Sequence, residues 1–365
     1  MTKTTERFAT LDGIRAVAAV LVVTLHAPKL FSWLPALTNV YLAVDLFFCL
    51  SGFVIARTYR DRLVSGALTP GRFIAGRAIR FYPLYALGLL LGLVPTLTAL
   101  LTHGMSSVAM GAGLVTALAG FLYLPSPLHP RVFPLDLPAW SLASELVVNA
   151  VYAALACRRS RMGLALLFVL AAVEVGLYAH HAGNLDGGWE WPSITVGPAR
   201  AARAALSFSI GIFLERHTRG SHFRSNALAL LPVLVVPALL LSKPSFVPPS
   251  VYPLAVVGIA VPALIFAAAH VEPHGVVRTA FLAGGRLSYG VYIIHSPLAL
   301  LWNFLPAPPR HTAAAAFAFV AGVAILVWLL ERYYVPYARN ALNALYAALA
   351  TRRSRTPTTQ SAAGN

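Results

Sequence analysis

Apolar runs recur from one end of this sequence to the other, and that recurrence rules out a water-soluble fold. Eleven stretches centre near residues 20, 48, 92, 115, 148, 170, 207, 234, 260, 295 and 322. About twenty residues of α-helix span the hydrocarbon core of a bilayer. Only 11% of the 365 residues are charged, against about 25% in an ordinary soluble domain. The chain therefore reads as all-α, a polytopic integral membrane helical bundle. Residues 1–340 form the membrane domain, and 341–365 read as a polar cytoplasmic tail without fixed structure. The apolar region after the polar start MTKTTER has no small-residue cleavage site and is interrupted by Arg15, which is not the pattern of a signal peptide.

The net charge of +16 rests almost wholly on arginine, with lysine only at 3, 29 and 243. Its placement in short loops follows the positive-inside rule and argues against nucleic-acid binding. Four basic regions read as cytoplasmic: Arg57 to Arg80, Arg158 to Arg161, Arg216 to Arg224, and the tail with Arg352, Arg353 and Arg355. An even number of crossings must separate any two of them. Residues 1–56 supply two, 162–215 two and 225–335 four. Residues 81–157 hold three candidates, so either 82–102 and 107–124 share one crossing or one of them is re-entrant. The expectation is about ten transmembrane helices with both termini inside. Asp186, Glu190 and nearby aromatics mark 181–200 as an outside loop. Cys49 and Cys157 offer neither a disulfide framework nor a zinc spacing and read as buried small hydrophobes.

Ionisable residues inside such segments are costly and are read as functional by default. Arg15 and His26 share the first segment, LDGIRAVAAVLVVTLHA. Eleven helical steps return to within roughly 20° of the starting direction and advance about 16 Å, so both lie on one face. A neutral histidine there suits a general base; a structural hydrogen bond between helices is the competing reading. Asp45 lies in YLAVDLFFCLSGFVIARTYR, where it could orient His26 or pair with an arginine of another helix. Ser51-Gly52 in the same segment reads first as a close-packing site.

Arg77 and Arg80 open an aromatic-rich stretch, Phe81-Tyr82-Pro83-Leu84-Tyr85, suited to phosphate oxygens and a nucleotide base; Arg57, Arg60 and Arg62 read as topology-setting charge. Glu145 falls in PAWSLASELVVNAVY beside Trp140, either an interface anchor or a site wall. GGRLSYGVYIIHSPL places Ser288, Tyr292 and His295 on one helix face. There is no G-x-S-x-G elbow, P-loop or dinucleotide-binding glycine motif, and no cluster with metal-ligand spacing.

These segments together resemble acyltransferase family 3, the integral membrane O-acyltransferases of bacteria and related eukaryotic proteins. LDGIRAVAAVLVVTLHA is similar to the family's Arg-x10-His signature, and AVDLFFCLSGFVIA to its second-helix motif. RAIRFYPLY matches Arg-x-x-Arg-aromatic-Pro, WSLASE matches Trp-Ser-Leu-x-x-Glu, and LSYGVYIIHSPL matches Ser-Tyr-x-x-Tyr-x-x-His-x-Pro. One departure is Val148-Asn149, where the family often has Phe-Tyr.

The resemblance implies transfer of an acyl group, usually acetyl, from acyl-CoA to a hydroxyl. Surface or lipid-linked glycans lead as acceptors, with secondary metabolites such as macrolides behind them. The implied catalytic residues are His26, Asp45 and Glu145; the donor is implied to lie on Arg15, Arg77, Arg80 and Tyr82. Trp140, Ser288, Tyr292 and His295 are implied on the substrate side. Acyl-CoA acts as donor substrate, with no permanently bound cofactor and no metal. The implied partners are membrane lipids and the glycan in a bacterial inner membrane, with a homo-oligomer left open. A transporter or flippase using the buried charges as a path, and a non-catalytic scaffold, are the rival readings.

Overall fold

The computed structural model describes residues 7–34, 39–103, 106–187, 190, 197–218, 223–242, 244–302 and 312–355. These residues are overwhelmingly helical. In chain order the helices are α1 (Ala9–His26), α2 (Ala43–Val64), α3 (Pro70–His103), α4 (Ser107–Phe121), α5 (Ala139–Cys157), α6 (Arg161–Ala182), α7 (Gly197–His217) and α8 (Asn226–Leu241). Then come α9 (Val251–Ala255) and α10 (Val261–Ala269), joined by a π-turn at Val256–Ala260, and α11 (Gly275–Trp302). Finally α12 (Ala313–Leu329) and α13 (Val335–Arg355) are joined by a π-turn at Leu330–Tyr334. Two short strands, β1 (Phe223–Arg224) and β2 (Val271–Glu272), pair in parallel.

Among the described residues, seven helical segments are long and apolar enough to cross a membrane: Ala9–His26, Val40–Val64, Pro70–Pro95, Ala139–Cys157, Arg161–Ala182, Val251–Ala269 and Ala313–Thr351. The protein is a multi-pass membrane protein. The expected count of ten is not reached on length and composition alone. The crowded region 81–157 separates cleanly: α3 runs unbroken through 34 residues, whereas α4 has 15. Fifteen residues of helix reach about 22 Å, short of the roughly 30 Å hydrocarbon core. Outward-facing Leu166, Leu170 and Leu177 of α6 are all more than half exposed, as a lipid-facing surface requires.

The core is organised by two parallel helix pairs. Along α1 and α11, Asp12 sits against Gly285 and Ala16 against Gly284, while His26 meets His295 further on. Along α2 and α7, Asp45 meets Arg203, Gly52 meets Phe208 and Arg57 meets Glu215. These relative directions are the ones that loop-charge parity requires. A Cβ on Gly52 would lie 2.0 Å from the Phe208 carbonyl oxygen, so only glycine permits this approach. Gly52→Val is therefore expected to abolish folded, monodisperse protein in size-exclusion chromatography. Gly176→Val on α6, where a Cβ would meet nothing within 4 Å, leaves the profile unchanged. Equal behaviour of the two variants would refute the close-packing role.

The start of α1 is pinned by Glu272 of β2. Its carboxylate accepts from the Ala9 amide at 2.9 and 3.2 Å, favourable charge at a helix N-terminus, and the Thr10 hydroxyl donates to the Val271 carbonyl. In α3, Pro83 removes one backbone donor. Nearby carbonyls take side-chain donors instead: Ala78 from Tyr123 (3.2 Å), Arg80 from Arg339 (3.1 Å) and Phe81 from Tyr289 (2.7 Å). This bracing fixes the stretch that carries Arg77 and Arg80.

The C-terminal expectation needs correcting. The described part of 341–365 is helical through Arg355, because α13 continues α12 beyond its π-turn and Arg339 ties it to α3. Residues 356–365 lie outside the described residues, as do 188–189 and 191–196 of the expected outside loop 181–200.

Candidate functional site

A cleft of about 820 Å³, open to solvent, gathers seven residues that the sequence singles out: Arg15, Ser51, Arg77, Arg80, Glu145, Ser288 and Tyr292. They come from five helices, α1, α2, α3, α5 and α11. Glu145 Oε1 accepts from Arg77 Nη2 and from the Ser51 hydroxyl, each at 2.6 Å. The Arg77 guanidinium also lies over the Phe81 ring, 4.6 Å from its centroid. Arg15 keeps a looser contact, 3.8 Å, with Asp12. Arg80 has no carboxylate within salt-bridge distance among the described residues. Three guanidiniums thus face the cleft against one lining carboxylate, which leaves it strongly cationic.

Tyr292 and Phe47 also line this cleft, with ring centroids 5.4 Å apart in an edge-to-face contact. The Tyr292 hydroxyl bonds Ser141 of α5 at 2.6 Å, and Ser288 is satisfied by the Gly285 carbonyl at 2.8 Å. One helical turn beyond Tyr292 lies His295. Neither His295 nor His26 lines the cleft; Tyr292, which does line it, stands one turn from His295 on α11.

The two histidines touch. His295 is fully buried, and its Nδ1 lies 2.9 Å from the Val291 carbonyl. A carbonyl only accepts, so in the neutral ring Nδ1 carries the proton and Nε2 the lone pair. His26 Nδ1 lies 3.0 Å from that Nε2 and 3.2 Å from the Val22 carbonyl. Two acceptors facing one nitrogen require it to be N–H. The lone pair of His26 is thereby assigned to Nε2, on a half-buried ring at the last residue of α1. This arrangement can accept a proton at Nε2 and hold the resulting imidazolium with two acceptors at Nδ1.

Other expected site residues lie elsewhere. Asp45 does not bond His26. Its carboxylate is committed to Arg203, at 2.5 Å from Nη2 and 3.3 Å from Nε, and to the Ser207 hydroxyl at 3.3 Å. Burial of both side chains favours this pairing over an exposed role. Tyr82 turns from the cleft into an aromatic cluster with Tyr85 and Tyr123. Trp140 is buried against Phe48, with the Arg203 guanidinium 5.8 Å from its ring. Glu145 is in the cleft but engaged by Arg77 and Ser51 rather than by a histidine.

Sequence reasoning missed Arg203, although an arginine in the apolar stretch near 207 was a usable signal. It also missed Ser141, and Asp136 in the loop before α5. Asp136 is fully buried, and its carboxylate oxygens have no partner among the described residues. Burial pushes its carboxyl well above the usual carboxylate range. No metal-ligating cluster exists among the described residues.

Against known proteins, a family model described as "Acyltransferase domain" matches residues 8–332. "Protein 2 in picA locus" from Rhizobium radiobacter is 44% identical over 183 residues, covering 46% of this chain and 92% of that protein. "Exopolysaccharide production protein ExoZ" from Rhizobium meliloti (strain 1021) is 28% identical over 325 residues, covering 79% of this chain and 87% of that protein. No solved structure matches.

Proposed function

The chain belongs to the acyltransferase family whose model spans residues 8–332, and from that membership we propose that it moves an acyl group, acetyl first, from acyl-CoA to a hydroxyl of a cell-surface or lipid-linked glycan. The glycan acceptor is suggested by the similarity to an exopolysaccharide production protein. The observation that carries the reading is a cationic cleft with a hydrogen-bonded histidine pair beside it. A chamber with three guanidiniums suits the phosphates of CoA. One turn along α11 from Tyr292 stands His295, and bonded to it is His26, whose Nε2 is free to take a proton.

Arg80, with no carboxylate partner among the described residues, and Arg15, loosely paired, are the phosphate contacts. Arg77 is held in place by Glu145 and adds fixed positive charge. The thioester passes Tyr292 towards His26. Nε2 of His26 removes the acceptor hydroxyl proton, and the freed oxygen attacks the thioester carbonyl. The carbon–sulfur bond breaks and the CoA thiolate takes a proton from the imidazolium. His295 positions His26 by accepting from its Nδ1–H. On this reading the donor chamber faces the cytoplasm of a bacterial inner membrane with both termini inside, an orientation supported by the positive-inside rule applied to the basic loops.

The test is radiolabelled acetyl-CoA supplied to membranes holding the protein and a panel of glycan acceptors. A base-labile ester on glycan is the expected product. For Arg80→Ala, KM for the donor should rise about tenfold with kcat little changed, the mark of lost ground-state binding. Absence of ester from folded protein with every acceptor would remove the glycan reading.

A further inference from the structure

A second and larger groove lies between α6, α7 and the α9–α10 segment, sharing no residue with the cationic cleft. It spans about 1190 Å³ of space, part of it open solvent. Its walls are apolar, with Leu164 and Phe168 from α6 and Ile210 and Phe213 from α7. Gly258, in the π-turn, forms part of the floor, and a Cβ there would meet nothing within 4 Å. One end is different. Arg161, at the start of α6, and Arg216, in the last turn of α7, both line it.

Neither arginine forms a salt bridge among the described residues. The Nε of Arg216 is buried with no hydrogen-bond partner there, and so is the hydroxyl of Ser209 on the same wall. A buried guanidinium nitrogen without a partner is costly, and an acceptor brought by a ligand would satisfy it. From the arginines to Phe168 and Ser209 is seven residues along each helix, an apolar shaft of about 10 Å. The groove's shape is thus a cationic mouth on an apolar channel. The mouth adjoins the run Arg158 to Arg161, which the positive-inside rule assigns to the cytoplasmic face.

We propose that this groove binds one anionic phospholipid of the cytoplasmic leaflet, its phosphate on Arg161 and Arg216 and an acyl chain along Phe168 and Phe213. A free phosphate would leave the channel unfilled, and a zwitterionic lipid would set its own cation against the arginines. Basic pockets between membrane helices recognise anionic headgroups in this way. The site lies apart from the donor cleft and does not depend on the acyl-transfer reading.

The experiment is native mass spectrometry of the full-length protein in detergent, titrated with phosphatidylglycerol, with phosphatidylcholine, and with inorganic phosphate as competitor. Phosphatidylglycerol should bind one per chain and in preference to phosphatidylcholine. In the double variant Arg161→Ala/Arg216→Ala its affinity should fall about 25-fold, at about fivefold per arginine. Gly258→Leu, which keeps both arginines and fills the channel, should weaken it as well. The Gly258→Leu arm and the wild-type lipid comparison decide the matter even if the double variant does not fold. Equal binding of the two lipids, or unchanged affinity in Gly258→Leu, would overturn the proposal. Displacement by millimolar inorganic phosphate would overturn it in favour of a free-anion site.

Discussion

His26→Ala should lower kcat for acyl transfer by about 10²–10⁴, the usual contribution of a positioned general base, while leaving donor binding in place. The expectation rests on the bonding around the ring. Val291 dictates the proton on His295 Nδ1, and His295 Nε2 with Val22 dictates the proton on His26 Nδ1. Nε2 is then the one nitrogen able to act as base. His295→Ala removes an acceptor from behind His26 and should cost less, about tenfold to a hundredfold, by analogy with lost orienting partners at other catalytic centres. His295→Gln offers a side-chain carbonyl to His26 and should recover part of that loss at equal thermal stability. Wild-type turnover in His26→Ala would exclude it from the chemistry. Identical turnover in His295→Ala and His295→Gln would show that His295 fills space and does not orient its neighbour.

The histidine pair also marks how far the sequence could be read. The spacing of Arg15 and His26 on α1, and of Tyr292 and His295 on α11, was visible because a helix repeats its faces locally. That the two faces meet was not visible, because it depends on Asp12 packing against Gly285 and on Glu272 setting where α1 begins, contacts separated by more than 250 residues. The class of fold was legible from the apolar runs, since hydropathy reports burial in lipid directly. The number of crossings was less so. α4 is as apolar as its neighbours and differs only in length, and α13 continues a membrane helix through residues too polar to suggest it. Asp45 illustrates the same limit. An isolated acid in an apolar helix signals a partner without naming it, and the partner supplied by the fold is Arg203 on α7 rather than His26 on α1.

That pairing sets the second large expectation. Arg203→Met should destabilise the protein by about 3–5 kcal/mol, the cost of leaving one buried charge without its counter-ion. The side chains of Asp45 and Arg203 are 1% and 3% exposed, so water does not replace the lost contact. Arg203 also lies over the rings of Tyr41 and Trp140, at 5.7 and 5.8 Å, and donates to the Gly187 carbonyl, so the single variant loosens several elements at once. The double variant Asp45→Leu/Arg203→Met removes both charges and should recover most of the stability, as apolar replacements of buried pairs do elsewhere. Thermal unfolding in detergent measures the first effect, and acyl transfer at a permissive temperature separates structure from chemistry. A folded double variant with near-wild-type turnover assigns Asp45 to holding α2 against α7. A folded double variant slowed a hundredfold or more returns Asp45 to the reaction, acting at a distance from His26 that the resting geometry does not bridge.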